Sequence, residues 1–350
     1  MCCPGLGASA GSAGCFFSST KLAIATSESY RGYPIPMKNY YLRLDESIRL
    51  GSVEHFYHFM WGYLLPACFV ALRKDHSRTA ASDVCFVLRS CGPLMDPLTR
   101  ELFDELGFNF RIGDKHMLDA DGGLDSVTVP RWDVWIEREW DFNDGALYAS
   151  PPAHAETIEH VRFLRESLLN LLLTVPSKGY ADTEHALLLL KRSPEPEYYK
   201  PGGAAEIPGY GVGRRALQSL EQGCDVLNAH GIPCTIFEPG RHRLREQVAE
   251  FHQCRGIICM RGAEIANLIW LKPRSKVVIF NPGETMHPKP PARALVTLFD
   301  LDYVEINVGS DFQPVMDAQL VMDLLLPDRR GNGGAQGKEH PINIEASPRS

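Results

Sequence analysis

Short, uninterrupted runs of Val, Ile and Leu alternate with helical patterns between residues 179 and 327. The predicted strands are HALLLLKR at 185–192, PCTIFEP at 233–239, GIICM at 256–260, KVVIF at 276–280 and DYVEINV at 302–308. Strands that are apolar on both faces are typical of parallel sheets, whose helical connections cover both sides. The alternation therefore predicts an α/β fold with a Rossmann-like C-terminal domain, whose ligand binds beyond the carboxyl ends of the strands.

A less regular block precedes this domain, over residues 36–178. It contains strand patterns, a long apolar helix pattern at 53–72 that Pro66 is expected to kink, and the segment VTVPRWDVWIE, predicted as a strand pair or a bent strand. We predict four parts: an irregular lead-in at 1–35, an N-terminal α/β domain at 36–178, the Rossmann-like domain at 179–327 and a disordered tail at 328–350.

The composition excludes some classes of partner. A net charge of -7 provides no basic surface for nucleic acid, and no apolar run reaches the length of a membrane span. Ten cysteines occur without a CxxC pair, which favours mostly reduced, structural thiols. The first twenty residues lack the pattern of a signal peptide, and the sequence holds no N-x-S/T sequon, which favours a cytosolic protein.

Polar side chains follow three strands of the C-terminal block. Lys191 and Arg192 follow LLLL, Arg261 follows GIICM, and Asn281 ends the next strand. A predicted helix begins nearby at Gly262–Ala263, and the amino end of a helix attracts anions. These groups predict an anion site at one edge of the sheet, although solvated strand-end charges remain the alternative for each residue taken singly.

Glu54, His55 and His58 fall within one turn of the predicted N-terminal helix. At that spacing the three side chains share one helical face, and a histidine beside a carboxylate can act as a general base near neutral pH. The alternative is that His58 is a satisfied histidine in an aromatic-rich core.

Two other motifs carry weaker predictions. GYGVGRR at 209–215 follows a loop rather than a strand and lacks the G-x-G-x-x-G spacing, so we reject it as a dinucleotide fingerprint. The DAD at 119–121 and DLD at 300–302 offer paired carboxylates for a divalent ion, but such short spacings are frequent, and no metal site is predicted.

Five segments, in this order, resemble motifs of the family-61 glycosyltransferases, the DUF563 group. That family includes plant xylan-modifying transferases and animal O-linked GlcNAc transferases of the secretory pathway. The segments are EHFYHFMWGYLLP, LLLLKR, RRALQS, HRLREQVAEF and RGAEIANLIWLKPRSKVVIF, spanning about residues 50–285. Family members have His, Gly-Leu-Thr and Asn where this chain has Arg261, Glu264-Ile265-Ala266 and Gln218. These differences predict either altered donor choice or lost activity.

The resemblance implies a GT-B-like fold, in which two Rossmann-like domains face a cleft, and an inverting reaction. A sugar such as xylose or GlcNAc would pass from a nucleotide diphosphate, expected to be UDP, to a hydroxyl of a glycan or glycoprotein. No essential metal or other cofactor is expected. The alternatives are a non-catalytic relative that only binds and, more remotely, a nicotinamide oxidoreductase. The family is often lumenal in the Golgi or ER, so the resemblance leaves the compartment open.

The resemblance also assigns roles to residues, position by position. His58, with Glu54 and His55 beside it, would line the cleft between the domains as the catalytic base or as a group on the acceptor side. The donor and its phosphates would contact the residues Lys191, Arg192, Arg215, Arg261, Gly262, Ala263, Glu264 and Asn267.

Overall fold

The computed structural model describes residues 37–47, 51–76, 84–114, 125–139, 152–174, 186–209, 214–282, 291–325 and 344–345. The predicted lead-in at 1–35 and the DAD motif at 119–121 lie outside these ranges, as does the predicted tail apart from two residues. The fold is α/β, as predicted, and it contains two sheets of parallel strands with helices between them.

The first sheet has the strand order β3-β2-β1-β4, and all its pairs are parallel. Its strands are β1 (Lys38–Arg43), β2 (Val84–Arg89), β3 (Phe110–Gly113) and β4 (Ser126–Thr128). The chain runs outward from β1 to β3 and then returns to pair β4 on the other side of β1. Such a reversal opens a crevice at the carboxyl edge of a parallel sheet.

A continuous helical segment connects β1 to β2. It consists of α1 (Phe56–Phe59), a π-helical turn (Met60–Leu64) and α2 (Leu65–His76). The wide turn directly precedes Pro66, which has no backbone N–H to donate to the preceding turn. The predicted long, buried helix is therefore confirmed, with its irregularity next to the proline.

The other helices of this half are α3 (Asp96–Glu105), α4 (Trp132–Val134) with a π-helical turn (Trp135–Glu139), and α5 (Pro152–Leu172). The prediction of strand structure throughout 127–137 is wrong for its second half. The bulky apolar residues there mimic a strand pattern, yet Trp132, Trp135 and Ile136 are buried from a helical backbone.

The second sheet has the order β10-β9-β8-β7-β5-β6 and is also fully parallel. Its strands are β5 (Leu187–Leu190), β6 (Cys234–Phe237), β7 (Gly256–Met260), β8 (Lys276–Asn281), β9 (Asp302–Asn307) and β10 (Ile344–Glu345). β10 lies within the tail predicted to be disordered and pairs with β9. The chain reverses direction across the sheet between β5 and β7, which places a second crevice at their carboxyl ends.

Helices connect consecutive strands of this sheet: α6 (Leu220–Ala229), α7 (Leu244–Gln253), a 3-10 helix (Ala263–Trp270), α8 (Pro291–Leu298) and α9 (Ala318–Leu325). The patterns GRRALQSLEQGCDVLNAHG and DFQPVMDAQLVMDLLL predict helices from 213 and 311, but α6 begins at 220 and α9 at 318. The reason is that Gln218 pairs with Val315 in an isolated bridge, which holds both entry segments extended.

One large apolar cluster packs against both sheets, and it includes Trp61 from the first half and Trp270 from the second. A smaller cluster covers the opposite face of the second sheet, between β5, β7, β8, α6 and α9. The division into domains at residue 178 stays a prediction. None of the helices in the described ranges is both long and apolar enough to cross a membrane.

Candidate active site

A pocket of about 290 Å³ lies where the strand ends of both sheets meet. Its lining residues follow the carboxyl ends of strands: 55–58 follow β1, 94–98 follow β2, 191–193 follow β5, and 261–267 follow β7. In parallel sheets, ligands bind at these ends where the strand order reverses. The pocket therefore lies where the strand order predicts a ligand-binding site.

All the predicted site residues except Glu54 line this pocket. Those from the second sheet are Lys191, Arg192, Arg215, Arg261, Gly262, Ala263, Glu264 and Asn267, and those from the first half are His55 and His58. The structure thus brings together two groups that are far apart in the sequence.

Arg192 and Glu264 form an ion pair in the pocket wall. Arg192 Nη2 donates to Glu264 Oε2, and the two side chains are only 10% and 15% exposed. The guanidinium lies directly over Gly262, where a Cβ atom would be 1.5 Å from Nη2. Glycine is therefore required at 262 for the guanidinium to lie this close. In this structure Glu264 binds Arg192, which the sequence analysis predicted to bind an anionic ligand.

Arg215 adds a second, half-buried cation to the same wall. Its Nη1 lies 3.4 Å from the carbonyl oxygen of Arg261, and its guanidinium stands over the ring of Phe312 at 5.8 Å. Burial, together with the charges of Arg214, Arg192 and Arg261, lowers the pKa of Arg215 to about 10. This concentration of positive charge is unfavourable by itself and favours an anionic ligand.

Arg261 is held by a buried polar network. Its Nη1 donates to Asn281 Oδ1 at 2.9 Å, and Asn281 Nδ2 donates to Glu305 Oε1. Glu305 also accepts from Tyr303 at 2.8 Å and forms a salt bridge with Arg293 at 3.2 Å. Burial lowers the pKa of Arg261, against the attraction of Glu305. Arg261 therefore supports the pocket floor from a fixed position.

Lys191 is more exposed than these arginines. Its Nζ donates to Glu221 Oε1 on α6 at 2.8 Å, and its side chain is 44% exposed. It marks the outer rim of the pocket.

Asn267 is fully buried, and neither atom of its side-chain amide has a hydrogen-bond partner within the described residues. Other atoms of lining residues share this condition, among them Tyr57 Oη, Arg192 Nε, Ser193 Oγ and Gln247 Oε1. An unpaired buried polar group costs about 1–3 kcal/mol, so native proteins rarely keep one without a use. Such a cluster in one pocket points to a polar ligand that supplies the missing bonds.

On the opposite wall, His58 Nδ1 lies 3.0 Å from Asp133 Oδ2. Arg131 fixes the same carboxylate with bonds of 2.8 Å and 2.6 Å. Burial alone would raise the pKa of Asp133, but the hydrogen bonds from Arg131 and His58 lower it below its usual value. An ionised carboxylate only accepts, so Nδ1 donates the proton of this hydrogen bond, and Nε2 is the ring nitrogen left to accept one.

The local backbone makes this pairing possible. Asp133 packs against Gly62 of the π-helical turn, where a Cβ atom would lie 2.8 Å from Asp133 Oδ2. The edge of the His58 ring that carries Nε2 lies against Gly51, where a Cβ atom would be 2.4 Å away. Side chains at these two positions would displace the carboxylate or cover the basic nitrogen.

The predicted shared face of Glu54, His55 and His58 is wrong, because α1 begins at Phe56 and the first two residues precede it. The Glu54 carboxylate accepts from the backbone N–H of Glu206 at 2.8 Å and from Tyr198 at 3.0 Å. Glu54 thereby anchors the 197–206 loop and does not line the pocket.

His55, which does line the pocket, donates from Nε2 to the carbonyl of Ile207 at 3.0 Å. A carbonyl only accepts, so the proton lies on Nε2. Burial lowers the pKa of His55 and favours its neutral form.

Sequence reasoning missed Asp133, Arg131, Ser193 and Gln247. Asp133 is 75 positions from His58 and sits in the segment predicted as a strand, so no local spacing connects the two. Ser193 had a usable signal, because it directly follows the two cations at the end of β5. Gln247 had none, since it lies inside an ordinary amphipathic helix.

No group of three potential metal ligands occurs among the described residues. Of the two motifs with paired carboxylates, DLD at 300–302 is described, and its acids face cations. Asp302 forms salt bridges of 2.8 Å with Arg274 and 2.9 Å with Lys276. The motif thus joins neighbouring strand ends.

Residues 209–278 match a family model, and this segment holds Arg215 and the 261–267 part of the pocket. The match supports a transferase of the glycosyltransferase class (EC 2.4). The matching model is that of the family Glycosyltransferase 61, which the sequence motifs also predicted. The matched segment is about a fifth of the chain, from the approach to α6 into β8. No curated protein matches the chain.

Proposed function

We propose that this glycosyltransferase takes its sugar from a nucleotide diphosphate and passes it, with inversion, to an acceptor hydroxyl. A single observation carries the proposal: one pocket joins the Arg192 and Arg215 cations to the His58–Asp133 pair. The first group suits a diphosphate, and the second suits the removal of a proton from a hydroxyl.

The diphosphate would lie against Arg192 and Arg215, with Lys191 at the outer rim. The Arg192 side chain is only 10% exposed and Arg215 is half-buried, so water screens their charge less than it would at the surface. Glu264 has to release Arg192 when the diphosphate binds. The donor's negative charge then replaces that of the carboxylate, and the pocket keeps its charge balance.

The unpartnered amide of Asn267 would bind the neutral, polar part of the donor. An amide offers one donor group and one acceptor, which complements the N–H and C=O edge of a uracil base. This chemistry supports UDP as the nucleotide. The resemblance described above favours xylose or GlcNAc as the sugar.

The reaction is a single displacement. His58 Nε2 takes the proton of the acceptor hydroxyl, and Asp133 stabilises the resulting imidazolium. The acceptor oxygen forms a bond to the anomeric carbon as the bond from that carbon to the phosphate oxygen breaks. The nucleoside diphosphate leaves with its charge stabilised by Arg192 and Arg215, which needs no metal ion.

A GT-B-like arrangement is part of this proposal, with residues 36–178 on the acceptor side and 179–327 on the donor side of a cleft. Two features support it: each range contains its own parallel sheet, and lining residues follow strand ends of both. The acceptor would be a glycan or glycoprotein and would reach His58 from the first half.

A thermal-shift panel with UDP, GDP, UDP-sugars and NAD(P)H tests this proposal, together with an assay of donor hydrolysis in EDTA. Stabilisation by UDP or a UDP-sugar, with hydrolysis in EDTA, is the expected result. Binding without turnover would indicate the non-catalytic alternative, and a response to NAD(P)H alone would refute both.

Two variants test where the diphosphate binds. Arg192→Ala is expected to abolish nucleotide binding, whereas Glu264→Gln is expected to strengthen it by about tenfold, because the competing charge is removed. Arg274→Ala, which removes an exposed arginine on the loop before β8, is the matched control. Unchanged affinity in Arg192→Ala would show that the diphosphate binds elsewhere.

A further inference from the structure

Cys224 on α6 and Cys234 at the start of β6 lie side by side, with 2.8 Å between their Sγ atoms. Both side chains are buried, in the smaller apolar cluster beneath α6. The sulfur atoms of a disulfide are about 2.05 Å apart, so a shift of less than about 1 Å would bond this pair. We propose that Cys224 and Cys234 form a disulfide in the oxidised protein, at a site separate from the pocket.

Asn228 holds the two cysteines in this arrangement. Its Nδ2 donates to the carbonyl of Cys234 at 3.1 Å and lies 3.4 Å from Cys224 Sγ. Its Oδ1 accepts the backbone N–H of Cys234 at 2.9 Å. The folded chain thus holds the end of α6 and the start of β6 in an arrangement that accommodates the bond with little strain.

Each thiol also has a weak hydrogen bond in the reduced state. Cys224 Sγ donates to the carbonyl of Cys234, and Cys234 Sγ donates to the carbonyl of Cys224, both at 3.2 Å. Thiols are weak donors, so these bonds give little reason to hold two sulfur atoms so close. The pair is therefore poised for oxidation, in contrast to Cys68, Cys254 and Cys259, which lie buried without a sulfur neighbour among the described residues.

The bond forms by thiol–disulfide exchange. One thiolate attacks an oxidant such as glutathione disulfide and releases one glutathione thiol. The second thiolate attacks the mixed disulfide and releases the other, so two protein thiols and one glutathione disulfide yield a protein disulfide and two glutathione thiols. Burial raises the pKa of the Cys234 thiol, so the exchange takes place while the chain folds and both sulfurs still reach solvent.

The disulfide would stiffen one wall of the pocket. β6 is the edge strand of its sheet, and the backbone N–H of Lys191 donates to the carbonyl of Phe237 at its end. Lys191 also pairs with Glu221 on α6. A bond from α6 to β6 therefore fastens the edge strand next to the residues Pro239 and Gly240 that line the pocket.

Mass spectrometry gives a direct test. The full chain is refolded with oxidised and reduced glutathione, denatured in an alkylating reagent without reductant, and digested with trypsin. Residues 216–241 contain both cysteines and no internal Lys or Arg, so they leave as one peptide. The expected peptide lacks two hydrogens and carries no alkyl group. Residues 246–255 and 256–261, with Cys254 and Cys259, are internal controls that each take one alkyl group.

A stability measurement complements the first test. Reduction of the refolded wild type is expected to lower its Tm by about 3–8 °C, because the unfolded chain regains the freedom of the closed loop. Cys224→Ser should show no such response, while Cys254→Ser should respond like the wild type. Two alkyl groups on peptide 216–241 after oxidative refolding, with a Tm that does not depend on reductant, would overturn the proposal.

Discussion

His58 and Asp133 lie 3.0 Å apart across the pocket wall, although 75 positions separate them in the sequence. Arg131 holds the carboxylate from its other side, and Asp133 is completely buried. The orientation of the imidazole is thus determined by a buried ion pair and does not depend on a bound substrate.

Replacing His58 by Ala should remove the proposed base and leave the donor side intact. We expect the rate of sugar transfer to fall about 10²- to 10⁴-fold, with nucleotide affinity nearly unchanged. Transfer kinetics and a thermal shift with UDP measure the two properties separately. His230→Ala, at the exposed end of α6, is the control, and full activity in His58→Ala would exclude this histidine as the base.

Gly262→Ala should act through Arg192. The new Cβ atom would meet the guanidinium at 1.5 Å, so the arginine must leave its position. We expect nucleotide affinity to drop by about 10- to 100-fold, the range of one charge-assisted hydrogen bond.

A double-mutant cycle tests whether Gly262 acts on nucleotide binding through Arg192. In an Arg192→Lys background a cation remains to bind the nucleotide, but the guanidinium that the new Cβ atom would meet is gone. Adding Gly262→Ala should then cost little further, because the nearest remaining atom, Glu264 Oε2, lies at the end of a flexible side chain. Titration calorimetry on the four proteins measures the coupling. Additive losses would mean that Gly262 contacts the ligand independently of Arg192.

Asn267→Leu separates folding from binding. The amide is buried without a partner, so its removal relieves a cost of about 1–3 kcal/mol, and the free protein should be as stable as the wild type or more so. The stabilisation by UDP should nevertheless be lost. A large fall in Tm without ligand would show that the amide serves the fold rather than the donor.

The burial of His55 predicts that the free energy of unfolding decreases in acid. Burial lowers its pKa in the folded chain, while the unfolded value is about 6.5. The unfolded state therefore binds the proton first, so His55 makes the free energy of unfolding decrease as pH falls below about 6.5, by at most about 1.4 kcal/mol per pH unit. Arg214 and His58 act in the same direction, and Glu54 opposes them.

Urea denaturation at pH 7.5 and pH 5.5 measures this effect. The loss on acidification should be smaller in His55→Gln than in the wild type, since glutamine can still donate to Ile207 but does not titrate. His230→Gln should match the wild type. Equal losses of unfolding free energy in all three proteins would show that His55 does not cause the effect.

Two sides of the pocket were proposed above, one for the donor and one for the acceptor. The residues of the proposed donor side could be predicted from the sequence because the information is local. The runs before Lys191 and Arg261 are fully buried strands, and parallel strands bring their ends to one edge. The type and direction of the strands were enough to predict that Lys191, Arg192 and Arg261 lie together.

The acceptor side could not be predicted in this way. Its helix begins at Phe56, because the Glu54 carboxylate binds the backbone of Glu206 and so belongs to a loop contact about 150 positions away. Asp133 lies among Trp132, Val134 and Ile136, whose alternation with other residues resembles a strand. Both facts depend on tertiary contacts, which local patterns do not encode.

The π-helical turn at Met60–Leu64 has a consequence for the evolution of this site. Such a turn holds one residue more than an α-helical turn, so α1 and α2 are out of phase by about 100°. Deleting one residue there would leave the apolar content of the helix nearly intact while rotating His58 away from Asp133. Changes of chain length by a single residue therefore threaten this pair more than most substitutions, and a relative one residue shorter would keep the fold without the dyad.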